Sequence, residues 1–159
     1  MLRTLSKKLH PDYFKVYRIS NAILHGILGI VLITYFVFVQ VEDWSHIPLL
    51  IATPLWLVSF LYFGLVTPAI MEKVFRYELF DDELEIKSGV IFLKNVLVPM
   101  VRVQHVEISS GPLMRKHDLA SVEVVTAATT HKIVGLKLLE AEMLKRRIGQ
   151  LARVSEDEN

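Results

Sequence analysis

A chain of 159 residues with 52% hydrophobic residues, 22% charged residues and no cysteine has a mean hydropathy of +0.41, too apolar for a disordered segment and high for a soluble domain. Lack of cysteine removes disulfide, thiolate-metal and cysteine-nucleophile chemistry and leaves the redox compartment open, while a formal charge of +1 argues against the concentrated basic face that nucleic acid demands. The length holds about one domain, or one small domain beside a membrane segment.

In chain order, residues 1–18 form a basic N-terminus, with Arg3, Lys7, Lys8, Lys15 and Arg18 against Asp12. Residues 19–71 hold only Glu42 and Asp43 as charged groups, and residues 72–159 are close to neutral with 13 basic and 14 acidic side chains. The apolar excess is therefore confined to the middle block. There, Ile19 to Val41 is a charge-free run of 23 residues and Trp44 to Met71 one of 28. About 20 helical residues at 1.5 Å each cross a hydrocarbon core, so two transmembrane helices are expected, at about 19–41 and 46–70. The short Glu42-Asp43 connection makes them an antiparallel hairpin.

A basic start followed by an apolar run also resembles a signal peptide. The run is longer than the usual apolar region of about 7 to 15 residues, and no small-x-small cleavage site precedes Trp44. Five basic residues precede the first span, none lie in the turn, and Lys73 and Arg76 follow the second, which puts both termini in the cytoplasm. Trp44 suits the outer interface. Pro54 and Pro68 each remove a backbone donor, so a kink or local unwinding is expected in the second span. Gly26 and Gly29 could allow close helix approach, at a spacing one residue short of GxxxG. His25 is the one ionisable candidate inside the spans, and its plainer reading is a packed imidazole.

From Lys73 the pattern changes to alternation, which sets a boundary near residue 72. Phe75, Tyr77 and Leu79, then Leu84 and Ile86, alternate with polar neighbours, separated by Asp81-Asp82 and closed by Ser88-Gly89. Val90 to Leu93 is expected to continue this meander, with a break at Lys94-Asn95. Val101 to Ile108 reads as a strand whose inward phase slips, so a bulge or bend is expected near Gln104-His105. Pro112 to His117 forms a short helical turn. Val122 and Val124 face inward with Ser121 and Glu123 outward; a polar loop at Thr126 to Thr130 precedes a last strand, His131 to Val134. Leu138, Ala141, Leu144, Ile148 and Leu151 recur at spacings of three and four, the stripe of an amphipathic helix. Residues 155–159 are an acidic, frayed tail. The 88 residues from 72 onward suffice for a core of their own.

About six short strands closed by a C-terminal helix describe a pleckstrin-homology-like (PH-like) barrel. The succession Tyr77-Glu78-Leu79, Leu84-Glu85-Ile86-Lys87-Ser88-Gly89, Val98-Pro99, Val101-Arg102-Val103-Gln104-His105-Val106, Gly111-Pro112-Leu113-Met114-Arg115-Lys116 and Val134-Gly135-Leu136 resembles the bacterial PH-domain membrane proteins. The two preceding spans make it similar to their YdbS-like branch. The resemblance covers nearly the whole chain. It implies a multi-pass bacterial cell-membrane protein with a cytoplasmic PH-like domain over residues 72–154, no catalytic motif, and a larger membrane partner bearing repeated PH-like domains. It also implies a role in protecting the envelope against stress.

Motifs of chemistry are sparse. His105 and Glu107, or His117 and Asp118, lack a third ligand at zinc spacing, and no phosphate-binding glycine loop or nucleophile elbow is present. Neither a cofactor nor a metal is expected. Arg115-Lys116-His117, Lys7-Lys8 and Lys145-Arg146-Arg147 are basic clusters able to meet anionic lipid, though each is shorter than the four to eight basic residues of a dedicated lipid site. The reading that follows is a non-catalytic, membrane-anchored interaction module. Arg102, Gln104, His105, Arg115 and Lys116 are its candidate partner- or lipid-binding residues, membrane lipid and another PH-domain protein its expected partners, and an oligomer compatible with it. An anionic-lipid sensor, or an accessory subunit of a transporter or membrane enzyme, stands as the alternative.

Overall fold

The computed structural model describes residues 5–42 and 44–157, with side chains through Val154. Arg3, Asp43 and the side chains of the acidic tail lie outside the described residues. The chain divides into two compact units, one made of the chain through Val16 together with Ile70 onward, the other of Tyr17–Ala69.

The smaller unit is a helical hairpin. Helix α1 (Pro11–Glu42) begins with proline, whose fixed φ suits a first helical position. It carries into the hairpin, where α2 (Ile47–Leu61) runs back toward a π-helical turn at Tyr62–Val66 and then α3 (Thr67–Val74). Pro68 explains the widened turn. Its ring would collide with the carbonyl of Gly64, four residues earlier, and it has no N–H to donate there. The chain accommodates this by closing a wider ring, with the Thr67 N–H donating to the Tyr62 carbonyl. Widening, rather than the expected unwinding, keeps the helix continuous. α1 has 32 residues and Ile47–Val74 has 28, both long and apolar enough to cross a membrane. Their apolar side chains, among them Ile30, Ile33, Leu50 and Leu55, are exposed, as lipid-facing residues are.

Within the hairpin, Trp56 donates its indole N–H to the His25 carbonyl at 3.1 Å and lies against Gly29, where an added Cβ would meet the ring at 3.3 Å. Gly29 thus permits a close approach. Gly26 does not, since an added Cβ would meet nothing within 4 Å.

The larger unit contains two antiparallel three-stranded sheets. β1 (Arg76–Leu79), β2 (Glu83–Ser88) and β3 (Lys94–Pro99) form the first in that order. β4 (Val103–Ser109), β5 (Leu119–Thr126) and β6 (Thr130–Lys137) form the second. A 3₁₀ turn at Met100–Arg102 joins the sheets, and α4 (Pro112–Lys116) links β4 to β5. α5 (Leu138–Asp157) follows. The architecture is PH-like, with two open sheets in place of one closed barrel.

The alternation of the sequence accounts for the core. Tyr77, Leu84, Ile86 and Val98 from the first sheet meet Val122, Val124, Ile133 and Leu136 from the second, and α5 adds Ala141, Leu144 and Ile148. Leu138, expected on that stripe, is instead exposed. It is the first residue of the helix, and its N–H donates to the Asp118 carbonyl at 2.9 Å. α5 also runs to Asp157, into the segment read as a frayed tail.

Three further readings of the sequence are corrected. Val90 to Leu93 is a loop, not a strand, because Gly89 adopts φ +129° and turns the chain so tightly that an added Cβ would lie 2.0 Å from the Phe92 carbonyl oxygen. Ser121 is buried, because β5 and β6 slip register between Ala120 and Val122. Val134 and Gly135 of β6, the latter at φ +66°, together oppose Ser121. Residues 5–16, read as part of a basic terminus, are built into the larger unit. Lys7 exchanges backbone hydrogen bonds with Tyr77 on the outer edge of β1, Leu9 is buried, and His10 N–H donates to the Gly135 carbonyl at 2.9 Å. The slip expected near Gln104-His105 is present between Val103 and His105.

Candidate interaction cleft

The two sheets leave a gap where the chain crosses from β3 to β4. Met100 N–H donates to the Asp82 carbonyl at 2.9 Å, which holds the 3₁₀ turn against the first sheet and directs Val101 and Arg102 outward. Beside them lies a cavity of about 570 Å³, in the range of ligand sites. It is lined by Leu97, Val98 and Pro99 of β3, by Val103 and Gln104, by Thr126 to Thr129 at the β5–β6 connection, and by His131.

That loop is pinned at its base. Thr126 Oγ1 donates to the Thr129 carbonyl at 2.8 Å and accepts the Thr129 N–H at 3.2 Å, and the Thr126 N–H reaches the same carbonyl at 3.0 Å. The cleft is therefore walled by ordered backbone. Its rim is apolar as well as polar, with Leu97 54% and Val101 50% exposed beside the Arg102 guanidinium and the Gln104 amide. Among the described residues no strand pairs with the outer edge of β3, the strand whose Leu97, Val98 and Pro99 line the cavity.

Of the five residues singled out in the sequence, Arg102 and Gln104 line the cleft together. Gln104 is the unpaired residue of the β4 irregularity, which turns it out of the ladder. His105 is exposed on β4 and lies 3.2 Å from Glu107 Oε1, as a surface pair. Arg115 and Lys116 stand in the last turn of α4 at the opposite end of the second sheet, where Ser109 pairs with Ser121. The five do not form one site. Leu97, Thr129 and His131 were missed; Leu97 is a strand position left outward by alternation, Thr129 belongs to a loop with no sequence motif, and His131 is near the start of β6. Among the described residues no group of three or more histidine or carboxylate side chains could hold a metal ion.

A transmembrane hairpin followed by this PH-like arrangement agrees with the comparisons to known proteins. The family described as "Bacterial PH domain" matches residues 22–152. The chain belongs to the bacterial PH domain family. It is 36% identical over 151 residues, 95% of each chain, to the "UPF0699 transmembrane protein YdbS" of Bacillus subtilis (strain 168). No solved structure matches it. This bacterial PH protein is thus a transmembrane protein whose β-rich part carries the cleft.

The hairpin of this PH-family chain offers less chemistry. His25 is buried, with Nδ1 3.0 Å from the Asn21 carbonyl and Nε2 3.2 Å from Ser59 Oγ. A carbonyl only accepts, so Nδ1 carries the proton and Nε2 accepts from Ser59, leaving both ring nitrogens satisfied. The imidazole fastens one helix to the other.

Proposed function

We propose that this protein is a non-catalytic, membrane-anchored interaction module that binds an extended segment of a partner protein in the β3–β4 cleft. The observation that carries the reading is the coincidence of an unpaired strand edge with a side-chain pocket containing Arg102 and Gln104. An added strand would take its affinity from backbone hydrogen bonds to β3 and its specificity from alternate side chains entering the pocket. Arg102 favours a carboxylate on that strand.

The partner the family resemblance suggests is a larger membrane protein with repeated PH-like domains, in the bacterial cell membrane. The same resemblance supports a role for the complex in envelope protection. The excess of basic residues before the first span and after the second favours cytoplasmic termini. An anionic-lipid sensor centred on Arg115 and Lys116 is the second reading, resting on their exposure together in α4. Co-purification from native membranes separates the two. Replacing Arg102 and Gln104 by Ala is expected to release the bound partner without altering the thermal transition, whereas Arg115→Ala with Lys116→Ala retains it. Retention by the first pair with release by the second contradicts the cleft.

A further inference from the structure

The β2–β3 loop presents three consecutive large apolar side chains to solvent. Ile91 is 74%, Phe92 79% and Leu93 62% exposed. A soluble surface scatters such residues singly; three in a row at a loop tip mark a contact surface. The tip is also shaped in advance. With Gly89 at φ +129° and its α-carbon packed against the Phe92 carbonyl, the loop is closed on its own backbone, which turns the side chains of 91 to 93 outward.

Two features identify what covers it. Exposed lysines flank the tip, Lys87 near the end of β2 and Lys94 at the start of β3, with Ser88 opposite Lys94. Arg76 lies directly opposite Lys87 in the ladder. An apolar tip collared by long basic side chains suits an anionic bilayer surface, where the stems lie along the acyl boundary and the ammonium groups reach the phosphates. The second feature is the chain's own path. Arg76 opens β1 only two residues after α3 ends, and α3 is the last part of the apolar segment Ile47–Val74. The tip therefore caps the end of the sheet at which the chain emerges from its membrane-spanning helix.

We propose that Ile91, Phe92 and Leu93 insert into the interfacial region of an anionic phospholipid leaflet, giving the PH-like domain a second attachment to the membrane besides the covalent one. The attachment restrains rotation of the domain about its tether and is independent of what occupies the cleft. Because the chain has no cysteine, single-cysteine variants report cleanly. The full chain carrying Phe92→Cys, and separately Ile91→Cys, is labelled with an environment-sensitive nitrobenzoxadiazole and reconstituted into phosphatidylethanolamine–phosphatidylglycerol vesicles, with Glu107→Cys on β4 as the comparison site. Blue-shifted emission at 91 and 92, quenched several-fold more strongly by doxyl-labelled phospholipid than at 107, is the expected result. Lys87→Glu with Lys94→Glu should weaken that quenching while leaving the thermal transition in place. Water-like emission at 91 and 92 overturns the proposal. So does a shielded label that doxyl lipid fails to quench, which would place a protein surface, or a second copy of this chain, over the tip.

Discussion

Asp12, Glu78 and Tyr77 hold the N-terminal segment and the first strand to the rest of the larger unit. Lys15 at 2.9 Å and Lys137 at 3.3 Å bring the Asp12 carboxyl down to about 2. The Ser6 hydroxyl, donating at 2.5 Å, lowers Glu78, and Lys132 with Ser109 lowers Glu123. A carboxylate depressed in the folded state contributes stability above its unfolded value and loses it as pH falls. For Asp12 the window is from 3.8 down to about 2. Asp12→Asn should flatten the acid limb of the unfolding midpoint there; an unchanged slope would remove the ion pairs from the account. On the alkaline side, burial and then the Glu140 carboxylate, which accepts a hydrogen bond from the Tyr77 hydroxyl at 2.8 Å, push Tyr77 upward. Its contribution is in full below 10 and declines as pH rises above it. Gly135 has a sharper role, since an added Cβ would lie 2.5 Å from Tyr13 Cγ at a φ of +66°. Gly135→Ala should cost about 1–3 kcal/mol, partly recovered when Tyr13 is also replaced by Ala, as read from denaturant midpoints. Full additivity of the two changes would show that they do not touch.

At the scale of elements, α5 docks through Ala141, Leu144 and Ile148. Leu144→Asp would bury an unpaired charge, at several kcal/mol, comparable to the stability of a small domain at about 5–15 kcal/mol. A cooperative thermal transition unmoved by Leu144→Asp would show that the helix does not pack. The N-terminal segment makes a second prediction. A fragment of residues 72–159 leaves the β1 edge and the Gly135 carbonyl uncovered, so adding a peptide of residues 5–16 should raise its thermal midpoint, whereas no response would show that the edge does not need covering. Alternation made β1, β2, β5 and the α5 stripe legible in the sequence, and the parity change between Val103 and Val106 marked the irregularity of β4. Leu9 and Tyr13 were not legible, because too few apolar positions separate the lysines to set a period and their partner Gly135 is remote in sequence. Val90 to Leu93 misled for a different reason, since apolar composition alone does not distinguish a strand from an outward loop. Of the residues lining the cleft, the sequence singled out two. Arg102 and Gln104 stood out as polar residues interrupting a strand pattern, but only the pairing of the sheets separates them from Arg115 and Lys116.

At the scale of the whole molecule, the hairpin's buried imidazole is satisfied by Asn21 and Ser59, and the proposed division of labour makes the hairpin an anchor and gives recognition to the PH-like domain. The proposed cytoplasmic placement of that domain predicts that Ser45→Cys, in the turn between α1 and α2, reacts with an impermeant maleimide added to intact cells while Lys116→Cys does not. The reverse pattern would invert the topology. The most direct test of the whole reading is photo-crosslinking in living cells, with a benzophenone amino acid placed at Gln104 in the cleft, at Arg115 on α4, or at Leu28 in the hairpin. A discrete protein adduct from Gln104, absent from Arg115 and Leu28 and lost when Arg102 is also replaced by Ala, is the predicted result. An adduct from Leu28 with none from Gln104 would place recognition in the membrane hairpin and contradict the account.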